Sequence, residues 1–218
     1  MPEWFITYGV GMELIFAVVT LLVAIYAFKI YRLSSQKESE LFGLGFLLIS
    51  LSYITWFILN ISALIKLNEG IVALQIDNAL ALINLGAYLH IFLSLLGLIL
   101  LVYVNLRIKS IGTLLLLISL SIFPLIFSNN QAILFYFISS ILISYLVMHY
   151  FYEYKKRKNT HMALMLSAFA FLFLGTFELI FTHEDRMHFV IGHIFILISY
   201  TMLLINLISV FKDGQKKK

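Results

Sequence analysis

The amino-acid sequence predicts an all-α integral membrane protein, folded as a bundle of seven transmembrane helices in one domain, residues 1–218. Three observations carry this prediction: the composition, seven apolar runs, and the alternation of positive charge between loops. Of the 218 residues, 62% are hydrophobic and only 12% are charged. Soluble domains are about half apolar and a quarter charged, so we expect lipid rather than water around this surface.

Seven apolar runs are long enough to cross a bilayer, because a transmembrane helix needs about 20 mostly apolar residues. Short polar segments separate most of them. The second loop, about 66–81, is longer, and we expect there either a short interfacial helix or an extension of the third helix. The predicted helices lie near 5–28, 41–65, 82–104, 111–128, 131–152, 162–182 and 187–211.

Positive charges alternate between the loops. If the N-terminus is outside, all but two of the 15 Lys and Arg residues lie on the inner side, and the exceptions are Lys66 and Arg186. Cytoplasmic loops carry such an excess, so we predict an outer N-terminus and an inner C-terminus in a cell or cytoplasmic membrane. The inner residues are Lys29, Arg32, Lys37, Arg107, Lys109, Lys155, Lys156, Arg157, Lys158, Lys212, Lys216, Lys217 and Lys218.

The predicted partners follow from the same pattern. We expect the lipid bilayer as the main partner and anionic lipids at the inner basic segments. We expect no nucleic acid, and the sequence leaves the oligomeric state open.

Two internal alignments predict a repeat of three helices, a linker helix and three helices. Residues 31–51 align without gaps with residues 154–174, and His-Ile-Phe at 90–92 matches His-Ile-Phe at 193–195. A single linker helix restores the chain direction, so the two halves are predicted to be parallel rather than inverted.

Four ionisable residues fall inside the predicted membrane spans: Glu13, His90, Glu178 and His193, on helices 1, 3, 6 and 7. Such residues are costly in a membrane and mark functional sites. At 1.5 Å per residue, each lies about 8–13 Å below the outer end of its helix. Small residues stand one helical turn from most of them, which predicts that they face the bundle.

Four functions remain open for these residues. The leading interpretation is a non-enzymatic transporter or sensor that binds or conducts a small solute or protons in the outer half. The second is a b-type cytochrome with His90 and His193 as axial ligands of haem b. The third is an intramembrane hydrolase whose divalent metal is held by His90, His193, Glu13 and Glu178. The fourth is a structural or accessory subunit whose polar residues only pack helices.

Two further groups of residues are candidates for a functional role. The outer loop between helices 6 and 7 contains His183, Glu184, Asp185 and His188, which predict either a metal or pH-sensing site or a solvated loop. Several other polar or aromatic residues predict either a cavity lining or ordinary packing: Tyr53, Trp56, Asn60, Tyr88, Tyr145 and Tyr200.

The residues that are missing narrow the function classes. The absence of cysteine excludes disulfides, thiolate metal sites and iron–sulfur clusters. No lysine lies between His188 and Phe211, which excludes a retinal Schiff base on helix 7. The architecture resembles the small sugar transporters with a three-one-three repeat. Their Pro-Gln motifs are missing, because the only prolines are Pro2 and Pro124.

Overall fold

The computed structural model describes residues 3–68, 73–106, 110–183 and 186–216. Within them the chain is helical and contains no strand, which confirms the predicted all-α bundle. Six helices are long and apolar enough to cross a membrane, so the fold is that of a multi-pass membrane protein. The helices are α1 (Glu3–Ser34), α2 (Lys37–Asn68), α3 (Ala73–Leu106), α4 (Ile111–Ile126), α5 (Gln131–Arg157), α6 (Thr160–Ile180) and α7 (Arg186–Lys216), with a 3₁₀ turn at Phe181–His183.

Most helices run past the apolar segments that predicted them. Long basic side chains reach the membrane surface from a continuing helix, so a helix need not end where its apolar run ends. α3 begins at Ala73, so residues 73–81 of the predicted second loop extend the third helix, while residues 66–68 continue α2. Residues 69–72 lie outside the described residues.

The turns between α1 and α2 and between α5 and α6 have the same geometry. Ser35 and Lys158 both have left-handed backbone, with φ of 54° and 45°. Ser35 donates its N–H to the carbonyl of Tyr31 at 2.7 Å, and Lys158 donates to that of Tyr154 at 2.8 Å. These residues occupy equivalent positions in the predicted repeat. Both turns lie at what we name the basic end of the bundle, and α1 begins at the opposite, N-terminal end.

Six helices form a closed helix ring in the order α1, α2, α3, α5, α6, α7, with α7 returning to α1. The first half is α1–α3 and the second half is α5–α7. The halves meet at two seams, where α3 contacts α5 and α1 contacts α7. A half-turn about the axis of the helix ring would exchange the two halves, which is the arrangement that a parallel repeat requires.

α4 stands outside the helix ring, against α3 and α5. Its 16 residues span about 24 Å, so it is shorter than the other six helices. Tyr8 contacts Phe189 and Tyr26 contacts Phe211, so α7 runs parallel to α1. Since the chain reverses between α5 and α6 and again between α6 and α7, α5 runs in the same direction as α1 and α3. The last turns of α4, residues 122–126, lie beside residues 85–95 of α3. α4 therefore returns the chain from the basic end to the N-terminal end, as predicted.

Glycine pairs let neighbouring helices approach closely within each half. A Cβ atom on Gly97 would lie 2.6 Å from the carbonyl oxygen of Gly45, between α3 and α2. A Cβ atom on Gly175 would lie 2.8 Å from the carbonyl oxygen of Gly192, between α6 and α7. Small residues at such contacts are typical of membrane helix packing, because they bring the two backbones together.

A packed layer closes the helix ring toward the basic end. Each of the six helices contributes one fully buried large side chain to it. Hydrogen bonds fix the register of neighbouring helices: Ser50 Oγ donates to the carbonyl of Ala17 at 2.8 Å, and the Ser52 and Ser94 hydroxyls lie 2.7 Å apart. The Ser140 and Thr176 hydroxyls, 3.1 Å apart, do the same for α5 and α6, and the layer residues of both halves belong to one hydrophobic core. They are Val23, Phe46, Leu101, Leu146, Phe169 and Leu203.

Candidate functional site

A cavity of about 190 Å³ lies at the centre of the helix ring, on the N-terminal side of the packed layer. All six helices of the helix ring contribute to its wall. The first half contributes Glu13, Phe16, Ile49, Tyr53, Trp56, His90, Ser94 and Leu98. The second half contributes Phe135, Tyr136, Ser139, Ile143, Leu172, Thr176, Leu179, Phe189, His193, Ile196 and Tyr200.

Glu13 is the acidic residue of this wall and lies on α1, with 9% of its surface exposed. The Asn60 side-chain amide of α2 donates to both carboxylate oxygens, at 3.0 and 3.2 Å. The side chain of Trp56, one turn before Asn60, is a second hydrogen-bond neighbour. A carboxylate has about four acceptor positions, so Glu13 is held in place and keeps accepting capacity toward the cavity.

His90 enters the cavity wall from α3 among aromatic rings. Its ring centroid lies 5.1 Å from that of Tyr53, 5.9 Å from that of Trp56 and 5.8 Å from that of Phe135. Its Nδ1 atom is buried and has no hydrogen-bond partner among the described residues, and the same holds for Ser139 Oγ nearby on α5. Buried polar atoms without a partner are uncommon in folded proteins, and both of these residues line the cavity.

His193 enters the opposite side of the wall from α7. Its Nδ1 lies 2.6 Å from the carbonyl oxygen of Phe189, one turn earlier. A carbonyl only accepts, so Nδ1 carries a hydrogen and donates it to Phe189. The imidazole stacks on Phe16 of α1, with centroids 5.4 Å apart and planes 7° apart. This residue therefore joins the two halves at the α1–α7 seam.

Glu178 does not line the cavity, although its predicted depth resembles that of the other three residues. Its Oε2 atom lies 2.6 Å from Nδ1 of His188, and both side chains are partly exposed. Leu172, Thr176 and Leu179 are the α6 residues of the wall. At about 100° per residue, Glu178 points well away from the face that they share. The structure thus brings together Glu13, His90 and His193 and leaves Glu178 outside.

The outer-loop group falls largely outside the described part of the chain. Glu184 and Asp185 lie outside it, as does the side chain of His183. His188 is described and is the partner of Glu178. The loop prediction of a metal or pH-sensing site therefore stays a prediction.

The other predicted lining residues divide in a similar way. Tyr53, Trp56 and Tyr200 line the cavity, and Asn60 supports it through Glu13. Tyr88 is 56% exposed on the outer surface of α3. Sequence reasoning did not single out Tyr136, Phe189 or Ser139. Their signal in the sequence is weak, because aromatic and small residues occur on every face of these helices.

The histidine pair does not fit a haem. Bis-His ligation needs both imidazoles to face one iron with the macrocycle between them. Here His193 stacks on Phe16, Phe16 contacts Tyr53 at 5.2 Å, and Tyr53 contacts His90 at 5.1 Å. Two packed aromatic rings thus fill the space that the macrocycle would need.

A divalent metal also lacks a ligand set in the part of the chain that the structure describes. No three His, Asp or Glu side chains there are grouped closely enough to hold a metal ion. Glu13, His90 and His193 share a cavity wall, but aromatic side chains separate them. The described residues therefore offer no metal centre for the hydrolase interpretation.

Comparisons with protein-family models, with curated proteins and with solved structures give no match. The fold and the cavity therefore stand as the basis for inferring function.

Proposed function

We propose that the protein transports a small solute through the central cavity, by movement of the two halves relative to each other. The observation that carries this proposal is the position of the cavity at the interface of the halves, with wall residues from both. Transporters built from repeats hold their substrate near the mid-membrane at the repeat interface. A pocket inside one half would not change its access when the halves move.

The two ends of the helix ring differ, and this difference supports the same proposal. The cavity lies toward the N-terminal end, and the packed layer of fully buried side chains lies toward the basic end. Alternating access needs one side closed by packing while the other holds the open site. Separation of the halves at the packed layer would expose the cavity to the basic end.

Hydrogen bonding also favours rigid halves with mobile seams. Within the first half, Ser52 and Ser94 are joined at 2.7 Å. Within the second half, His161 Nδ1 lies 2.9 Å from Asn206 Oδ1. Between the halves, the Tyr53 and Tyr200 hydroxyls lie 3.5 Å apart, at the limit of hydrogen bonding. At the α1–α7 seam, the Tyr8 hydroxyl lies 3.5 Å from the carbonyl oxygen of Val190. The contacts within a half are therefore shorter than these contacts between halves.

Cysteine accessibility tests the proposal, because the chain has no cysteine of its own. We would introduce Ser139→Cys in the cavity wall and reconstitute the protein in vesicles of known orientation. A membrane-impermeant maleimide would then be added on one side at a time. Alternating access predicts labelling from both sides, and Ser94→Cys gives a second position on the other half.

Two loop positions provide the matched controls. Asn129→Cys, between α4 and α5, should react from the N-terminal side alone, and Lys212→Cys, near the end of α7, from the basic side alone. Both residues are exposed. Labelling of both Ser139→Cys and Ser94→Cys from the N-terminal side only would contradict transport. The cavity would then be a closed-ended pocket, as in a receptor.

A further inference from the structure

The cavity wall combines one carboxylate with an unusual share of aromatic side chains. Seven of its 19 residues are Phe, Tyr or Trp, whereas these types make up 16% of the whole chain. We propose that the cavity recognises a small organic cation of the quaternary ammonium class. Glu13 would be its counter-ion, and the aromatic faces around it would hold the alkyl groups. This inference rests on the proposed role of the cavity as the solute site.

The charge of the wall favours a cation. Glu13 is the acidic residue among the lining side chains, and none of those residues is Lys or Arg. The donors held against its carboxylate, Asn60 and Trp56, are both neutral. A negative charge with neutral neighbours in a low-dielectric wall attracts a cation and repels an anion. An anionic solute would have to approach this carboxylate without a compensating base.

The aromatic faces select an organic cation over an inorganic one. Trp, Tyr and Phe rings attract ammonium groups through their negative faces, and aromatic cages recognise quaternary ammonium ligands. Phe16, Tyr53 and Trp56 of the first half lie in the wall together with Glu13. A sodium or calcium ion would need a shell of several oxygen ligands, and Glu13 is the one carboxylate among the described residues of the wall.

The aromatic faces of the wall favour a cation without N–H groups. A primary ammonium concentrates its charge on the nitrogen and has three hydrogens to donate. A quaternary ammonium donates no hydrogen, and its charge spreads over alkyl groups that pack against rings. The aromatic side chains of the wall supply such faces on both halves.

The size of the cavity sets an upper limit on the ligand. A dry protein cavity of about 150 Å³ accepts a molecule of the size of benzene. At about 190 Å³, this cavity suits a compact ion with a trimethylammonium head and a short substituent. Choline is a suitable probe of that size, and 3,3-dimethyl-1-butanol is its uncharged counterpart with the same shape.

Tryptophan fluorescence provides the binding measurement. The chain has two tryptophans, Trp4 and Trp56, so a Trp4→Phe background leaves Trp56 in the cavity wall as the reporter. Purified protein would be titrated with choline chloride, with 3,3-dimethyl-1-butanol, and with sodium chloride as an ionic-strength control. We expect saturable binding of choline and at least tenfold weaker binding of the neutral alcohol.

A matched pair of variants locates the counter-ion. Glu13→Gln keeps a side chain that can bond to Asn60 but removes the charge, and should weaken choline binding at least tenfold. Glu178→Gln removes a carboxylate outside the cavity wall and should change it less than twofold. Glu13→Asp retains the charge and should recover part of the affinity, which a purely structural role of Glu13 would not predict.

The outcomes separate this inference from the proposed function. Absence of choline binding, or equal affinity for choline and the neutral alcohol in the wild-type protein, would overturn the ligand class without any variant. Two-sided labelling of Ser139→Cys would still support transport in that case. Selective choline binding with one-sided labelling would retain the ligand class and contradict transport.

Discussion

Two levels of the helix ring differ in how their side chains meet. At the cavity, flat aromatic rings stand beside serine and threonine, and about 190 Å³ stays open. At the packed layer, aliphatic and phenylalanine side chains from the same six helices are fully buried in one hydrophobic core. Protein interiors are normally packed as densely as organic crystals. The cavity wall also contains six Leu and Ile side chains, so the two levels differ in the polar groups that the wall contains and the six residues of the packed layer lack.

The largest expected effect comes from truncating the packed layer. Leu203→Ala should lower the free energy of unfolding by about 2–5 kcal/mol, because it opens a void among fully buried side chains. Leu172 is also buried but borders the existing cavity. Leu172→Ala should therefore cost less, about 2 kcal/mol or below. Unfolding by SDS in mixed micelles measures both.

Equal losses of unfolding free energy for the two leucine variants would contradict the distinction between the levels. Packing around the cavity would then contribute as much to stability as packing in the layer. A small loss for both would show that the layer repacks easily.

A second prediction concerns the glycine contact within the first half. Gly97→Ala places a Cβ atom 2.6 Å from the carbonyl oxygen of Gly45 and 2.7 Å from Cγ1 of Ile49. The helices must separate, and we expect a loss of about 1–3 kcal/mol in the free energy of unfolding. Gly11→Ala is the control, because its Cβ would meet nothing within 4 Å. A similar loss for both would mean that the α2–α3 contact is not tight.

The smallest effect is expected for a variant of a residue pair that belongs to neither the cavity wall nor the packed layer. Glu178 and His188 form a partly exposed pair, with 29% and 38% of their side-chain surface accessible. Exposed pairs contribute about 0–1 kcal/mol, so His188→Ala should lower the free energy of unfolding by less than about 1 kcal/mol. It should also leave maleimide labelling of Ser139→Cys unchanged. A change in that labelling would link this pair to the cavity.

The sequence predicted the helices well because the bilayer sets a minimum apolar length. It placed α4 correctly between the halves, although this helix is short. Helix ends were harder, since α1 continues through Lys29 and Arg32 to Ser34 without leaving the helix. Charged residues end an apolar run, but they do not end a helix.

The sequence predicted how deep the ionisable side chains lie along their helices, but it did not predict which way each side chain points around its helix. Glu13, His90 and His193 share the cavity wall, whereas Glu178 points away from it. Each helix rotates by about 100° per residue, and a sequence that is apolar on all faces shows no preferred side. The sequence also could not predict the aromatic rings between the two histidines, because the packing of α1 and α2 places Phe16 and Tyr53 there.

The position of α4 makes the two seams unequal. The predicted repeat relates the α3–α5 seam to the α1–α7 seam, but α4 lies against α3 and α5, and no described helix lies in the same way against α1 and α7. Among the described residues, one seam is thus covered by a helix of the chain and its counterpart is not. Separation at the α3–α5 seam would have to break contacts with α4 as well, whereas separation at the α1–α7 seam would not.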